Sequence, residues 1–299
     1  MPGFAKLFVG KAESRKHTVC MDRTQFFEAL WADFAKIAPQ AAAIAHRLEE
    51  HGEAVKNDHV AFRTFNLDPG GLRSSSPGSA SQGPISLERL EPLVLGLGYT
   101  LLDEYRFDDK HLRARAYICP NSPRLFLSEL LCEELSGWAQ AVISQLLAQV
   151  PPGCAASPEV LWSGRPWAPL RFADYERLSN ESEYAGWLAA LGLRPNHFTV
   201  SINQLSPGLR SVEQVLDFVE AAGYRINSAG GRVKGSRDVL LEQGSTLADR
   251  VPVQFADGPR IIPTCYYEFA LRHPDRSGQL YEGFVPASAD RIFESTHRS

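Results

Sequence analysis

The 299-residue chain has a formal net charge of −4, with 44% hydrophobic and 22% charged residues, the balance of an ordinary soluble globular protein. It carries no basic stripe with interleaved aromatics, which excludes a nucleic-acid footprint, and no apolar stretch reaches the ~18 residues of a membrane span. Five scattered cysteines (Cys20, Cys119, Cys132, Cys154, Cys265) form no C-x-x-C pair. They exclude a zinc knuckle or a disulfide framework and read as free thiols in a reducing cytoplasm.

Residues 1–20 are mildly basic but lack the apolar core and cleavage site of a secretory signal, and read as an N-terminal extension. From Met21 the apolar positions Phe26, Leu30, Phe34 and Ile37, then Ile44 and Leu48, recur at helical spacing. Pro39 divides them into two helices or a kinked one, and Gly52 is a plausible stop. DHVAFRTF (58–65) alternates like a half-buried strand, residues 70–84 are a polar Ser/Gly loop, and ISLERLEPLVLGLG returns to helical spacing with a proline inside. Three strand-like runs follow: YTLLDEYRF, LRARAYIC and RLFLSEL.

The same order then recurs. NHFTVSINQL (196–205) reads as a strand, SVEQVLDFVEAAG (211–223) as an amphipathic helix, and YRINS, DVLLEQ and TCYYEFALR as strands. DHVAF matches NHFTV, LGYTL matches AGYRI, and FLSEL matches YYEFA. The expected fold is therefore α+β: tandem βαβββ units, about 57–130 and 196–272, forming an incomplete barrel around a metal pocket. The segment 131–195 between them is expected to be a helical insert packed outside.

His59 and His197 open the first strands of the two units, so the repeat itself relates them. Glu268 lies on the last strand of the second unit. Two imidazoles and a carboxylate can occupy one face of an octahedral ion and leave the other positions open, as in non-heme iron oxygenases. These donors also suit manganese, cobalt and zinc. A buried Glu268 needs a partner, which a metal or Arg272 on the same strand and face could supply. The repeat offers Glu129 as a rival carboxylate. Arg63, four residues after His59, faces the same way on a strand and suits either a substrate carboxylate or a structural ion pair. Gln243 and Ser245 are candidate neutral donors to a substrate.

The segments DHVAFRTFN (58–66), RLFLSELLCEELS (124–136), NHFTVSINQL (196–205), LLEQGSTLAD (240–249), PTCYYEFALR (263–272) and YEGFVPASADRIFEST (281–296) together resemble the 2-oxoadipate dioxygenase/decarboxylase family. The members are also called 2-hydroxyglutarate synthases. The resemblance spans about residues 24–296, and the family is similar in fold to the vicinal-oxygen-chelate superfamily. It implies a single catalytic domain of that kind over 21–299. It also implies that His59, His197 and Glu268, rather than Glu129, bind Fe(II) or another divalent metal. Arg63 becomes the catalytic residue that orients substrate. The implied reaction converts 2-oxoadipate and dioxygen to 2-hydroxyglutarate and carbon dioxide, a late step of lysine breakdown. The expected partners are a 2-oxo acid and dioxygen, in the cytoplasm, with neither nucleic acid nor membrane, and a homo-oligomer is compatible with the sequence. A non-oxidative metal-dependent isomerase or lyase of the same fold is the alternative.

Overall fold

The computed structural model describes residues 21–69 and 83–286. The expected N-terminal extension, most of the Ser/Gly loop and the end of the last family segment lie outside the described residues. The first helix, α1 (Arg23–Ile37), is started by a capping box in which Asp22 accepts from the Gln25 amide and the Gln25 side chain accepts from the Asp22 amide. Phe26, Leu30 and Phe34 form its buried stripe. Pro39 takes the first position of α2 (Pro39–Glu50), where its missing N–H costs nothing, so the chain makes two helices rather than one bent one.

Then come β1 (Asn57–Phe65), α3 (Leu87–Gly96, continuous through Pro92), β2 (Thr100–Phe107), β3 (Leu112–Ile118) and β4 (Arg124–Leu130). The insert holds α4 (Gly137–Leu147), α5 (Phe172–Glu181) and α6 (Glu183–Leu191). The second unit follows as β5 (Pro195–Ser201), α7 (Val212–Ala221), β6 (Lys234–Ser236), β7 (Leu241–Ser245), β8 (Arg250–Phe255), β9 (Gly258–Pro263) and β10 (Tyr266–Arg272). No described helix is long and apolar enough to cross a membrane.

Eight strands form one curled sheet in the order β2-β3-β4-β1-β5-β10-β7-β6. Each half has the same build. The first strand of the unit (β1 or β5) runs parallel to the last (β4 or β10), and the other two continue outward antiparallel. The halves meet where β1 pairs antiparallel with β5, and the pairs His59↔Thr199 and Ala61↔His197 are related by a local two-fold between them. The α+β half-barrel expected from the repeat is thus present.

Three details differ from the sequence expectation. YRINS is not a strand: only Ile226 makes an isolated bridge, to Thr246, and the short β6 takes the place in the sheet eight residues later. A separate hairpin, β8–β9, is inserted between β7 and β10. The insert is not merely an outer layer, because every residue of α6 from Tyr184 to Leu191 is buried. The Tyr184 hydroxyl accepts from the Thr64 amide at 2.8 Å and donates to the Ser128 carbonyl at 2.7 Å, and Trp187 donates to the Thr264 carbonyl. Helix α6 therefore closes the end of the half-barrel where Arg63 lies. Helix α7 sits hard on β7: a Cβ at Gly244 would come within 2.8 Å of Leu216 and 2.9 Å of Val212.

Candidate metal centre

Because β1 and β5 pair about the two-fold, His59 and His197 project side by side, with Nε2 atoms 3.3 Å apart. The Glu268 carboxylate arrives from β10, paired in register with Thr199, and its two oxygens lie 3.5 Å from the two Nε2 atoms. One donor atom from each residue falls within 4.8 Å of the others, and all three side chains are buried.

The outer nitrogen of each ring is held by the residue just before it. His59 Nδ1 meets Asp58 Oδ1 at 2.8 Å, and His197 Nδ1 meets Asn196 Oδ1 at 3.1 Å. With Nδ1 occupied, each Nε2 lone pair faces the shared space, the usual arrangement behind metal-binding imidazoles. The sheet register shifts between Asn57 and His59, and such a bulge re-aims the side chains beside it. Burial opposes ionisation of Asp58. The Arg272 guanidinium overrides it, through bonds of 2.8 and 2.9 Å, and keeps that carboxyl well below the usual range. Arg124 adds a third contact at 3.3 Å. Arg272 is thus committed to Asp58 and not to Glu268.

Glu268 Oε1 accepts from the Gln243 amide at 2.6 Å, while Oε2 is buried with no hydrogen-bond partner. Burial pushes the Glu268 carboxyl above its ordinary value, with His59 acting against it. A half-satisfied carboxylate in a dry interior is costly, and a cation in the space it faces removes that cost. Burial, with His59 and Arg63 nearby, holds His197 well below its ordinary value, so its imidazole is neutral and its lone pair free to ligate. Two imidazoles and one carboxylate fit a divalent transition metal with open positions.

Glu129 is not the counterpart of Glu268. The two-fold makes Ala61 equivalent to Thr199, so Phe126, opposite Ala61, corresponds to Glu268, opposite Thr199. Glu129 lies three residues farther on, an odd offset that sends it to the other face. There it binds Arg113 and the Leu87 amide. Gln243 is brought to the Glu268 carboxylate, and Ser245 pairs in register with Glu268 and is fully buried. Arg63 pairs with Glu183, its Nη1 atom 3.0 and 3.1 Å from the two carboxylate oxygens. Its guanidinium is stacked 4.8 Å from Tyr184 and 4.9 Å from Trp187. A cavity of about 240 Å³ opens at this end, lined by Arg63, Glu183, Tyr184, Lys110 and His111.

Several site residues escape sequence reasoning. Asp58 and Asn196 had a legible sign, since an Asp-His and an Asn-His pair open the two repeats. Phe284 had none. Its ring lies edge-on to His59 at 4.9 Å and packs on Phe126 at 4.8 Å. Arg272 donates to the Tyr281 and Gly283 carbonyls, which ties this segment to the strand that carries Glu268.

Residues 156–279 match the family model described as 2-oxoadipate dioxygenase/decarboxylase. The chain is 33% identical to the rice (Oryza sativa) protein named 2-oxoadipate dioxygenase/decarboxylase, chloroplastic/amyloplastic, over 91% of this chain and 79% of that one. The chain belongs to the 2-oxoadipate dioxygenase/decarboxylase family. Among solved structures, the rice hydroxyglutarate synthase in complex with 2-oxoadipate superposes with a TM-score of 0.81 at 32% identity, covering 91% of this chain and 90% of that one. A Shewanella frigidimarina protein described as a hydrolase gives 0.79 at 44% identity, covering 88% and 98%. A glyoxalase superfamily protein from Ralstonia eutropha, at 23% identity and a TM-score of 0.68, covering 87% and 84%, shares the fold. Within the 2-oxoadipate dioxygenase/decarboxylase family, then, this chain presents a buried His-His-Glu set on a curled half-barrel sheet.

Proposed function

We propose that the protein converts 2-oxoadipate and dioxygen to 2-hydroxyglutarate and carbon dioxide, with Fe(II) held by His59 Nε2, His197 Nε2 and Glu268. The observation that carries this reading is the buried Glu268 carboxylate with an oxygen lacking a partner, facing the imidazoles of His59 and His197, in a member of this family. A divalent iron ion bound there would supply open coordination positions for a 2-oxo acid and the redox capacity to activate dioxygen. The atoms balance: one substrate molecule and one dioxygen give one hydroxy diacid and one carbon dioxide.

The protein's own part is placement and exclusion. Asp58 and Asn196 fix the imidazoles, and Gln243 steadies the Glu268 carboxylate. Arg63, held flat by Tyr184 and Trp187, takes one carboxylate of the diacid and sets its reach from the triad. Glu183 shares that guanidinium and must give up part of it when a substrate carboxylate arrives. Phe284 keeps water from the His59 side.

Anaerobic loading with Fe(II), followed by dioxygen uptake against 2-oxo acids of graded length, tests the proposal. Uptake is expected with 2-oxoadipate, falling for shorter and longer acids, and lost with chelator or in His59→Ala. Turnover of a 2-oxo acid without dioxygen, or full activity in His59→Ala, overturns it.

A further inference from the structure

The inner face of the half-barrel is organised in rows that cross the strands. One row holds Ser245, Glu268, Thr199, His59 and Arg124, each paired in register with the next. The next row holds Tyr266, His197, Ala61, Phe126 and Ala116. The row after that, on β1 and β4, holds Arg63 opposite Ser128. Two residues along a strand span about 6.6 Å, so the middle row lies between the Glu268 and His59 row and the Arg63 row. Apart from the ligand His197, that middle row is apolar except for Tyr266.

Tyr266 is fully buried and its hydroxyl has no hydrogen-bond partner. Its ring is stacked on His197, with centroids 4.7 Å apart and planes at 23°, which fixes its direction. Tyr267, whose buried hydroxyl also lacks a partner, points to the opposite face and packs on Trp31 and Phe269, so it is the direction of Tyr266 toward His197 that ties its hydroxyl to the site. A buried phenol usually finds a partner, and leaving one without costs free energy.

From this geometry we infer that Tyr266 is a substrate-binding residue, whose hydroxyl donates a hydrogen bond to the carboxylate that Arg63 holds. The inference rests on the reading of the site as one for a 2-oxo diacid. Ala61, Phe126 and Ala116 then give an apolar floor for the methylenes, while Arg63 and Tyr266 grip one carboxylate from two sides. One charged and one neutral donor on the same group discriminate a carboxylate from an apolar tail better than charge alone.

The test is Tyr266→Phe in metal-loaded protein kept anaerobic, titrated with 2-oxoadipate by calorimetry. The variant keeps the ring stacked on His197 and removes only an oxygen without a partner, so folding and the thermal midpoint of the metal-free protein are expected to hold. Its metal content is expected to match wild type, while Kd for 2-oxoadipate rises about ten- to hundredfold, the range for one hydrogen bond to a charged group. An unchanged Kd in the variant, with wild type binding and consuming 2-oxoadipate, overturns the role of Tyr266 alone. Loss of metal from the variant also overturns it, and makes Tyr266 a positioning residue for Glu268. Wild type that neither binds nor consumes 2-oxoadipate overturns the function together with this inference.

Discussion

The Nδ1 side of each histidine decides what its Nε2 can do. Asp58 ties His59 to two arginines, so its carboxylate is both an orienting group and the counter-charge for Arg272 and Arg124. Asp58→Asn keeps the shape but weakens that hold. We expect metal affinity to fall about 10–100-fold, as for other partners of metal-binding histidines, read by competition with a chromogenic chelator. Wild-type affinity in the variant would show that His59 needs no such support. At Glu129, burial pushes the carboxyl up to about 7, with Arg113 and the Leu87 amide acting against it. A carboxyl raised on folding binds its proton more tightly in the native state. It therefore leaves stability unaffected below the usual carboxylate range and costs stability as pH climbs from about 4.5 toward 7. The full cost is on the order of 3 kcal/mol. Glu129→Gln should flatten that part of the stability-against-pH curve, measured by urea unfolding. An unchanged slope would contradict the account of Glu129.

Elements were legible where apolar residues recur at a regular spacing, and less so where tertiary contacts decide; β1, expected to be half-buried, is buried on both faces, as is β5. The stripe Phe26, Leu30, Phe34 announced α1, and DHVAF and NHFTV announced the two strands that bring the histidines together. The β8–β9 hairpin was missed because Pro252 and Pro259 disguise both strands. Its turn sign, Asp257-Gly258 with Gly258 at φ +107°, was nonetheless present in the sequence. YRINS has strand-like residues, but glycines at 230 and 231 with positive φ turn the chain away before it can pair along its length. Gly244 shows the packing that such patterns do not carry, because only the structure reveals α7 pressed against β7. Gly244→Val would drive its side chain into Val212 and Leu216. We expect a loss of about 1–3 kcal/mol, read as a lower thermal midpoint, and an unchanged midpoint would mean that α7 can shift aside.

At the scale of the whole molecule, the site exists because two similar units meet back to back at β1 and β5. The repeat made the two histidines legible as a pair, but it suggested the wrong equivalence for the carboxylate. Register, not order along the chain, separates Glu268 from Glu129. The contact of Arg272 with Asp58 spans 214 residues, and the Arg63–Glu183 pair spans 120, so neither could be read from local pattern. Those long-range contacts are what enclose the His59, His197 and Glu268 set. In the proposed function this site inserts both atoms of dioxygen into a 2-oxo acid as that acid loses carbon dioxide. The most direct measurement is the product mass from Fe(II)-loaded protein turning over 2-oxoadipate under ¹⁸O₂. The balance predicts 2-hydroxyglutarate carrying both labelled atoms and unlabelled carbon dioxide, with no product from His197→Ala. Unlabelled product, or turnover that continues without dioxygen, would contradict it.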